Sequence, residues 1–519
     1  MVLKLKLPRL HKEVITALFF SLITVLTRLI YLEHFFVDWD SVGFALGSIS
    51  YSLEFTRPHL PGYFLHVKII SALSKVLGNI HTAMLTLSIV YSSLAAFFSY
   101  MLLRKIFGQI ASIIISLLII TNPMVWFYGS VTDSYSFDWF FSVFVIFILI
   151  DSKYFLLIPP IIAIGCGIRQ TTGVLMAITF YTYFFVFKVY KNYKIKKILI
   201  SHVIAVLAFL LWFVPMIDSA GGLSNYLKLY NENSPLPKIS LMQNFYQMSS
   251  YLIYILVPYV VVGIVLLINI KKLKNKQLKI DKKTLWLLLF WLLPPLFLFS
   301  FVAYSKGYFL IIILPLYIIF GFFLKDGLIT VKPLILSIFL DILIFLFLPY
   351  SKPSIESMLN PMTRKIKNYQ VWYERTTSSY LMAISRIKYN DSSIEELSEL
   401  IKKYINQNES ENLPIIFLDP TVNYYARGLQ YLFPNLTFIT MDQRDVDYYV
   451  LYHKLDVMKL NGLKGILNNY VILTRSDFFN QFLKKYFLQA LYSSKYVLII
   501  PNSNYNQEII ERYNFLFLR

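Results

Sequence analysis

Charge is what this chain has least of: Asp, Glu, Lys and Arg make up 15% of its 519 residues, against 57% hydrophobic and 17% aromatic residues. Soluble domains carry about 25% charged residues, so the deficit excludes an ordinary soluble globular protein and leaves a membrane protein. A single cysteine, Cys166, excludes an intramolecular disulfide and a thiolate metal cluster. It lies in an apolar run and reads as a space-filling residue, which leaves the redox compartment open. No strand candidate is followed by a glycine-rich phosphate loop, which argues against a nucleotide site. Internal repeats at solenoid or propeller periods and low-complexity tracts are lacking as well. Acidic residues are scarce beside basic ones, 29 against 49, for a net charge of +20. Residues 351–519 hold 20 basic and 16 acidic groups, so the excess falls in the first 350 residues. There it sits in short loops between apolar runs, the pattern of a topology signal, and no nucleic-acid partner is expected.

What is present is a succession of long apolar runs. The basic start MVLKLKLPRLHKEV leads into an apolar segment that contains Arg28 and ends without a small-residue cleavage site, which reads as a retained signal anchor. About 20 apolar residues span a bilayer. By that measure candidate helices lie near 14–33, 80–103, 109–128, 136–151, 154–168, 171–187, 198–217, 249–270, 284–303, 308–324 and 330–349, about eleven transmembrane helices in all. With a cytoplasmic N-terminus, the inner loops hold Arg104-Lys105, KVYKNYKIKK at 188–197 and KKLKNKQLKIDKK at 271–283, the last with seven lysines. The opposite loops hold only scattered bases such as Arg57, Lys68, Arg169, Lys228, Lys238 and Lys306. The asymmetry predicts an N-in, C-out chain in the cell membrane.

Two domains follow: a transmembrane domain over 1–350 with an outer loop at 34–79, and an extracytoplasmic α/β domain over 351–519. In the latter, strand candidates at 414–419, 436–441, 447–453, 470–475 and 496–501 alternate with helix candidates at 394–405, 422–433, 477–491 and 506–517. Such alternation predicts a layered structure with a mainly parallel sheet. Sequons at Asn390, Asn408 and Asn435 all fall in this domain, in a number that chance alone accounts for.

Polar groups at membrane depth or at its edge are paired, reach for water, or act. Asp38, Asp40, His59, Asp133, Asp138, Arg169, Asp218 and Lys306 all fall at or near the outer ends of helices. One cavity would collect them, unless they are only the polar ends that helices usually have. In DWDSVGFALGSISYSLEFTRPHLPGY at 38–63, Asp40 and Ser41 are placed to cap a helix. The apolar residues Val42, Phe44, Ala45, Leu46 and Ile49 then describe one lying in the interface. The two prolines and the glycine of PHLPGY predict a stiff turn that holds His59 at the same level. A carboxylate serves as base or metal ligand, and a cation holds a negatively charged leaving group. Lys306 in SKGY and Arg169 in GIRQTTG are the outer-side cations placed for a phosphate, the plain alternatives being an interfacial lysine and a loop base. Arg28 and Asp341 lie deeper and read as structural pairs within the bundle.

The ordered motifs carry a resemblance. WDSVGFAL, PHLPGYFLHV, NPMVWFYGS at 122–130, GIRQTTGVL at 167–175, WFVPMIDSAGGLSNYL at 212–227 and KGYFLIIILP at 306–315 resemble recurrent blocks of the C-type (GT-C) membrane glycosyltransferases. The branch they resemble is that of protein O-mannosyltransferases and lipid A aminoarabinose transferases, over roughly residues 14–350. The resemblance implies inverting transfer of a sugar from a polyprenyl-phosphate donor to a protein, lipid or glycan acceptor on the non-cytoplasmic face. It places the catalytic base or metal-ligand role on Asp40, with Lys306 and Arg169 binding the donor phosphate. Asp38, His59 and Asp133 remain as metal or acceptor contacts, and a divalent metal ion is the one cofactor left open. Many relatives have an Asp-Glu pair where this chain has Asp40-Ser41, with Asp38 two residues earlier. Two other classes compete: a transporter of lipid-linked sugars, which predicts inverted repeats and midplane ionisable groups, and an assembly subunit without catalysis. The aromatic segment TVNYYARG of the C-terminal domain is a candidate contact to acceptor or bundle.

Overall fold

The computed structural model describes residues 7–36, 38–233, 241–269, 278–301, 306–351, 381–407, 414–419, 422–441, 448–451, 456–459, 470–480 and 490–500. Helices occur at every one of the eleven expected places. Helix α1 (Leu7–Leu29) precedes the short helix α2 (Trp39–Ile49) and α3 (Phe64–Leu77). Next come α4 (Ile80–Ile106), α5 (Gln109–Thr121), α6 (Pro123–Ser130), α7 (Tyr135–Ile150), α8 (Ile158–Ile168) and α9 (Gln170–Val186). The helical region continues with α10 (Ile195–Ser219), α11 (Leu223–Asn233), α12 (Leu241–Ile268), α13 (Lys282–Phe301), α14 (Ile313–Lys325) and α15 (Lys332–Phe347).

The expected eleven spans are supported only in part. Among the described residues, three are long and apolar enough by themselves to cross a membrane: Ile80–Ile106, Ile195–Ser219 and Lys282–Ser300. A fourth is the pair α5 and α6, bent by 57°. The bend has a local cause. The Asn122 side chain accepts from the amides of Met124 (3.0 Å) and Val125 (3.4 Å), and Pro123 occupies the first position of α6, so a new helix starts where an apolar count sees continuity. Asn122 Nδ2 then donates to the Tyr254 carbonyl (2.7 Å) and the Tyr317 hydroxyl (2.9 Å), which ties the break into the bundle.

Helix α4 is the centre of the bundle, packed between α1 and α7. A stripe of small residues, Ser88, Ser92, Ala95, Ala96 and Ser99, is buried along it and lets neighbouring backbones approach closely. Helix α10 behaves oppositely. It packs chiefly on α8, and Leu199, Val203, Val206, Leu207, Leu210 and Leu211 remain exposed along its length. An apolar helix with so little protein cover is suited to lipid.

In the C-terminal region, α16 (Ile384–Gln407) and α17 (Ala426–Leu432) accompany strands β1 (Ile415–Leu418), β2 (Thr437–Met441), β3 (Tyr448–Leu451), β4 (Asp456–Lys459), β5 (Tyr470–Arg475), β6 (Ala490–Tyr492) and β7 (Tyr496–Ile499). The sheet order is β4-β3-β2-β1-β5-β7-β6. Only β1 pairs in parallel, with β2 and with β5; β2-β3, β3-β4, β5-β7 and β7-β6 are antiparallel. The expected mainly parallel sheet is therefore a mixed one. The expected strands are present, but β3 and β7 already run antiparallel to β2 and β5, and the added edge strands β4 and β6 continue both margins antiparallel. The expected helix at 477–491 is also corrected at its end, since Ala490–Tyr492 is a strand. The candidate at 506–517 lies outside the described residues.

Candidate functional site

The site forms where the segments before α2, α3 and α7 meet the break between α8 and α9. Asp38, not Asp40 or Ser41, caps α2: its carboxylate accepts from the Asp40 amide at 3.0 Å, and the helix starts at Trp39. That role accounts for the first acid and leaves Asp40 in the first turn, with its side chain 30% exposed. Asp40 Oδ1 lies 3.4 Å from His59 Nδ1, a close polar contact rather than a well-formed hydrogen bond. The His59 ring packs between Phe44 and Tyr63, 5.7 and 4.8 Å between centroids.

The turn that presents His59 is built by the backbone. Ser52 and Arg57 exchange two hydrogen bonds of 2.8 Å, the Tyr51 hydroxyl donates to the Gly62 carbonyl at 2.7 Å, and both Arg57-Pro58 and Leu60-Pro61 are cis. The expected stiff turn is present. Burial lowers the pKa of His59; Asp40 opposes this, and the positive charges of Arg169 and Arg427 add to it, so the ring is neutral at neutral pH.

Residues 130–134 are tied to the end of α1. Glu33 donates its amide to the Ser130 carbonyl (3.2 Å), and its carboxyl group accepts from the Thr132 amide (2.6 Å) and hydroxyl. Burial pushes the Glu33 pKa up to about 8 against the hydrogen bonds from Thr132. Next to it, Asp133 Oδ1 accepts from the Ser134 amide at 2.6 Å, and the Asp133 carbonyl accepts from Ser88 Oγ at 3.0 Å. Burial first, then the negative charges of Asp38 and Asp40, raise the Asp133 pKa well above the carboxylate range. The charges of Asp38 and Asp40 thus act on Asp133.

Arg169 is the cation of this assembly, and it is not a loop base: it is 2% exposed. Its Nε lies 2.8 Å from Asp138 Oδ1 and donates to Oδ2 at 2.9 Å, its Nη1 donates to Ser134 Oγ at 2.5 Å, and the Thr172 hydroxyl donates to Asp138 Oδ1. Three tyrosine rings face the guanidinium, with Cζ-to-centroid distances of 4.1 Å for Tyr135, 5.1 Å for Tyr308 and 5.8 Å for Tyr63. Among the described residues Arg169 Nη2 has no hydrogen-bond partner. An arginine held by one carboxylate and an aromatic cage, with one N–H edge unused, is suited to an anion. Tyr308 comes close because Gly307 has no side chain; a Cβ there would fall 1.9 Å from the Tyr135 ring.

Lys306 begins the short helical turn Lys306–Ile311 next to this cage, and its side chain lies outside the described residues. Asp218 is exposed near the end of α10. Arg28 matches its structural reading, donating to the Ile120 carbonyl (2.8 Å) and Thr27 Oγ1 (2.9 Å) beneath the Trp126 ring. Asp341 does not: neither of its oxygens has a hydrogen-bond partner.

A divalent ion held by protein alone needs converging donors, and Asp40 with His59 supplies two. Among the described residues no three His, Cys, Asp or Glu side chains group as a metal site would. The donor set does not fit a resident metal, and no step is derived through one.

The tyrosine cage and Arg427 went unmarked as site residues in the motif reading. Each aromatic nonetheless adjoins a marked residue: Tyr63 follows PHLPG, and Tyr308 follows Lys306-Gly307.

No protein-family model and no curated protein sequence matches the chain. Solved structures do. The crystal structure of ArnT from Cupriavidus metallidurans in the apo state is 12% identical with a TM-score of 0.55, over 94% of this chain and 98% of that one. ArnT from the same organism bound to undecaprenyl phosphate is also 12% identical, with a TM-score of 0.52, over 93% of this chain and 97% of that one. Nearly full coverage of both chains includes the C-terminal sheet as well as the helices. The chain therefore has a fold similar to that of ArnT, mostly helical with a small C-terminal sheet.

Proposed function

We propose that the protein is a glycosyltransferase that moves a sugar from a polyprenyl-phosphate donor to an acceptor on the non-cytoplasmic face of the membrane, with Asp40 as base. The observation that carries this is the juxtaposition of Asp40 and His59 with the caged Arg169, in a chain that shares its fold with a protein crystallised with undecaprenyl phosphate. The motif resemblance to C-type glycosyltransferases points the same way, and the loop-charge asymmetry supports an N-in, C-out orientation.

In this mechanism Asp40 takes the proton of an acceptor hydroxyl as its oxygen attacks the anomeric carbon. The bond from that carbon to the phosphate oxygen breaks on the opposite side, its electron pair leaves with the polyprenyl phosphate, and the sugar inverts. Arg169, through its unused N–H edge, offsets the charge that builds on the leaving phosphate. Lys306 is the second phosphate cation of this proposal. Neutral His59 packs against the Asp40 carboxylate and orients it. Burial and the charges of Asp38 and Asp40 raise the pKa of Asp133, which disfavours a further negative charge beside the base.

Transfer from a radiolabelled polyprenyl-phosphate sugar in membranes tests the proposal. Asp40→Asn is expected to slow transfer by about 10²–10⁴-fold, and Lys306→Ala to slow it less. A folded Asp40→Asn protein that transfers at the wild-type rate overturns the mechanism. The break at Asn122 and the buried Asp341 favour a second reading, a carrier of lipid-linked sugars. That reading predicts label crossing the bilayer without a new glycosidic bond.

A further inference from the structure

The C-terminal domain reaches the acid-bearing segment through Arg427, which is 1% exposed. From α17, its Nη1 donates to the Thr56 carbonyl at 3.2 Å and its Nη2 to the Thr56 hydroxyl. Its guanidinium lies over the Trp39 ring, with Cζ 4.1 Å from the centroid. Trp39 immediately precedes Asp40, and Thr56 lies three residues before His59. One side chain from a distant domain thus spans the two segments whose ends meet in the 3.4 Å contact of Asp40 with His59.

Two further observations show that the bridge is built. Thr56 has φ of 50°, in the left-handed region. A β-branched residue is disfavoured there and persists only where its surroundings hold it, and such positions concentrate at functional sites. Arg427 grips both the carbonyl and the hydroxyl of this residue. Its neighbour Gly428 sets the register of the contact, because a Cβ on Gly428 would fall 2.5 Å from the Phe36 carbonyl oxygen. Helix α17 therefore rests directly on the backbone that leads into Asp38.

We propose that Arg427 is a positioning residue for the transfer step: by bridging Trp39 to Thr56, the C-terminal domain sets the placement of Asp40 against His59 and completes a site that the helical bundle holds only in part. This rests on the function proposed above. The planar fork of arginine both stacks and donates twice, which a lysine ammonium does not reproduce.

The test uses the full chain. Transfer kinetics are measured for Arg427→Lys, Thr56→Val, the double variant and Asp40→Asn, alongside fluorine NMR of fluorotryptophan-labelled protein in which the Trp39 line is identified by its loss in Trp39→Phe. Arg427→Lys is expected to displace the Trp39 line and lower kcat about tenfold or more, since small misplacements of a reacting group are costly, with the donor KM nearly unchanged. Thr56→Val is expected to lower kcat less, and the double variant to be no worse than Arg427→Lys alone, because the two share one interaction. Should Arg427→Lys fail to fold, Thr56→Val carries the test, since it leaves the C-terminal domain untouched; wild-type kcat in that variant then overturns the role. An unmoved Trp39 line, wild-type kcat in Arg427→Lys, or a change confined to KM also overturns it. Inactive Asp40→Asn beside unimpaired Arg427→Lys removes the positioning role alone, whereas wild-type activity in Asp40→Asn removes the proposed function and the positioning role together.

Discussion

Arg169 at the rim and Asp341 inside the bundle are both sealed from solvent, at 2% and 0% exposure, yet their surroundings differ in kind. Arg169 meets a carboxylate, a serine hydroxyl and three tyrosine faces drawn from three separate segments of the chain. The oxygens of Asp341, on α15, accept no hydrogen bond. A buried charge without partners is costly and one with partners is far less so. The rim is thus organised around its charges, whereas the bundle merely accommodates one. Evolutionary purpose aside, the physical consequence is that substitutions of the same kind should act with opposite sign in the two regions.

The largest effect is expected at the rim. Arg169→Met leaves the Asp138 carboxylate buried without its partner, and breaking a buried pair costs about 3–5 kcal/mol; thermal unfolding in detergent measures it. Adding Asp138→Asn should restore part of the stability while transfer activity stays lost. A cost below about 1 kcal/mol, typical of a surface pair, would erase the contrast between the two regions.

The bundle should respond in the opposite direction. Asp341→Val removes an unsatisfied buried carboxyl group and is expected to stabilise the fold by about 1–3 kcal/mol, with transfer activity retained. Destabilisation by the same amount would mean that Asp341 has a partner in the working protein, and would place it with the rim residues.

A third effect is a pH dependence at Glu33, whose carboxyl group binds Thr132 beside the site. Its carboxyl group titrates near 8 in the folded chain because burial disfavours the charged form. In the unfolded chain it ionises near the ordinary glutamate value of about 4.3. Between those values only the unfolded state releases the proton, so the contribution of Glu33 to stability falls as pH rises and levels off above about pH 8. Relative to Glu33→Gln, wild type should be more stable at pH 5 than at pH 8.5. An identical difference at the two pH values would sink this assignment.

Much of the fold was legible in local pattern. The helices at 80–106, 135–150 and 195–219 follow from apolar runs bounded by caps and basic ends, and β1, β2, β5 and β7 follow from short apolar strands. The break at Asn122 was not, because 109–128 is uniformly apolar except for an asparagine and a proline whose joint effect is a cap. The edge strands β4 and β6 were missed since DVMK and ALY are short and carry no alternation. Within the site, WDS and PHLPGY marked Asp40 and His59 through motif resemblance, and the fold brings the two within 3.4 Å. The cap was misassigned to Asp40 and Ser41, since Asp38 stands only two residues before Asp40 and either acid can cap a helix.

The sequence by itself determined that this is a membrane protein with a helical bundle and a C-terminal domain of strands and helices, because hydrophobic period and charge placement are local quantities. It also marked the segments that carry the acids and cations. Only the tertiary structure decided that Asp38 is spent on a cap while Asp40 meets His59, that Arg169 is caged by tyrosines from three segments, and that Arg427 reaches across from the C-terminal domain to Trp39 and Thr56. Those outcomes join residues up to 371 positions apart. They depend on how preformed elements pack, and no local pattern encodes such a distance.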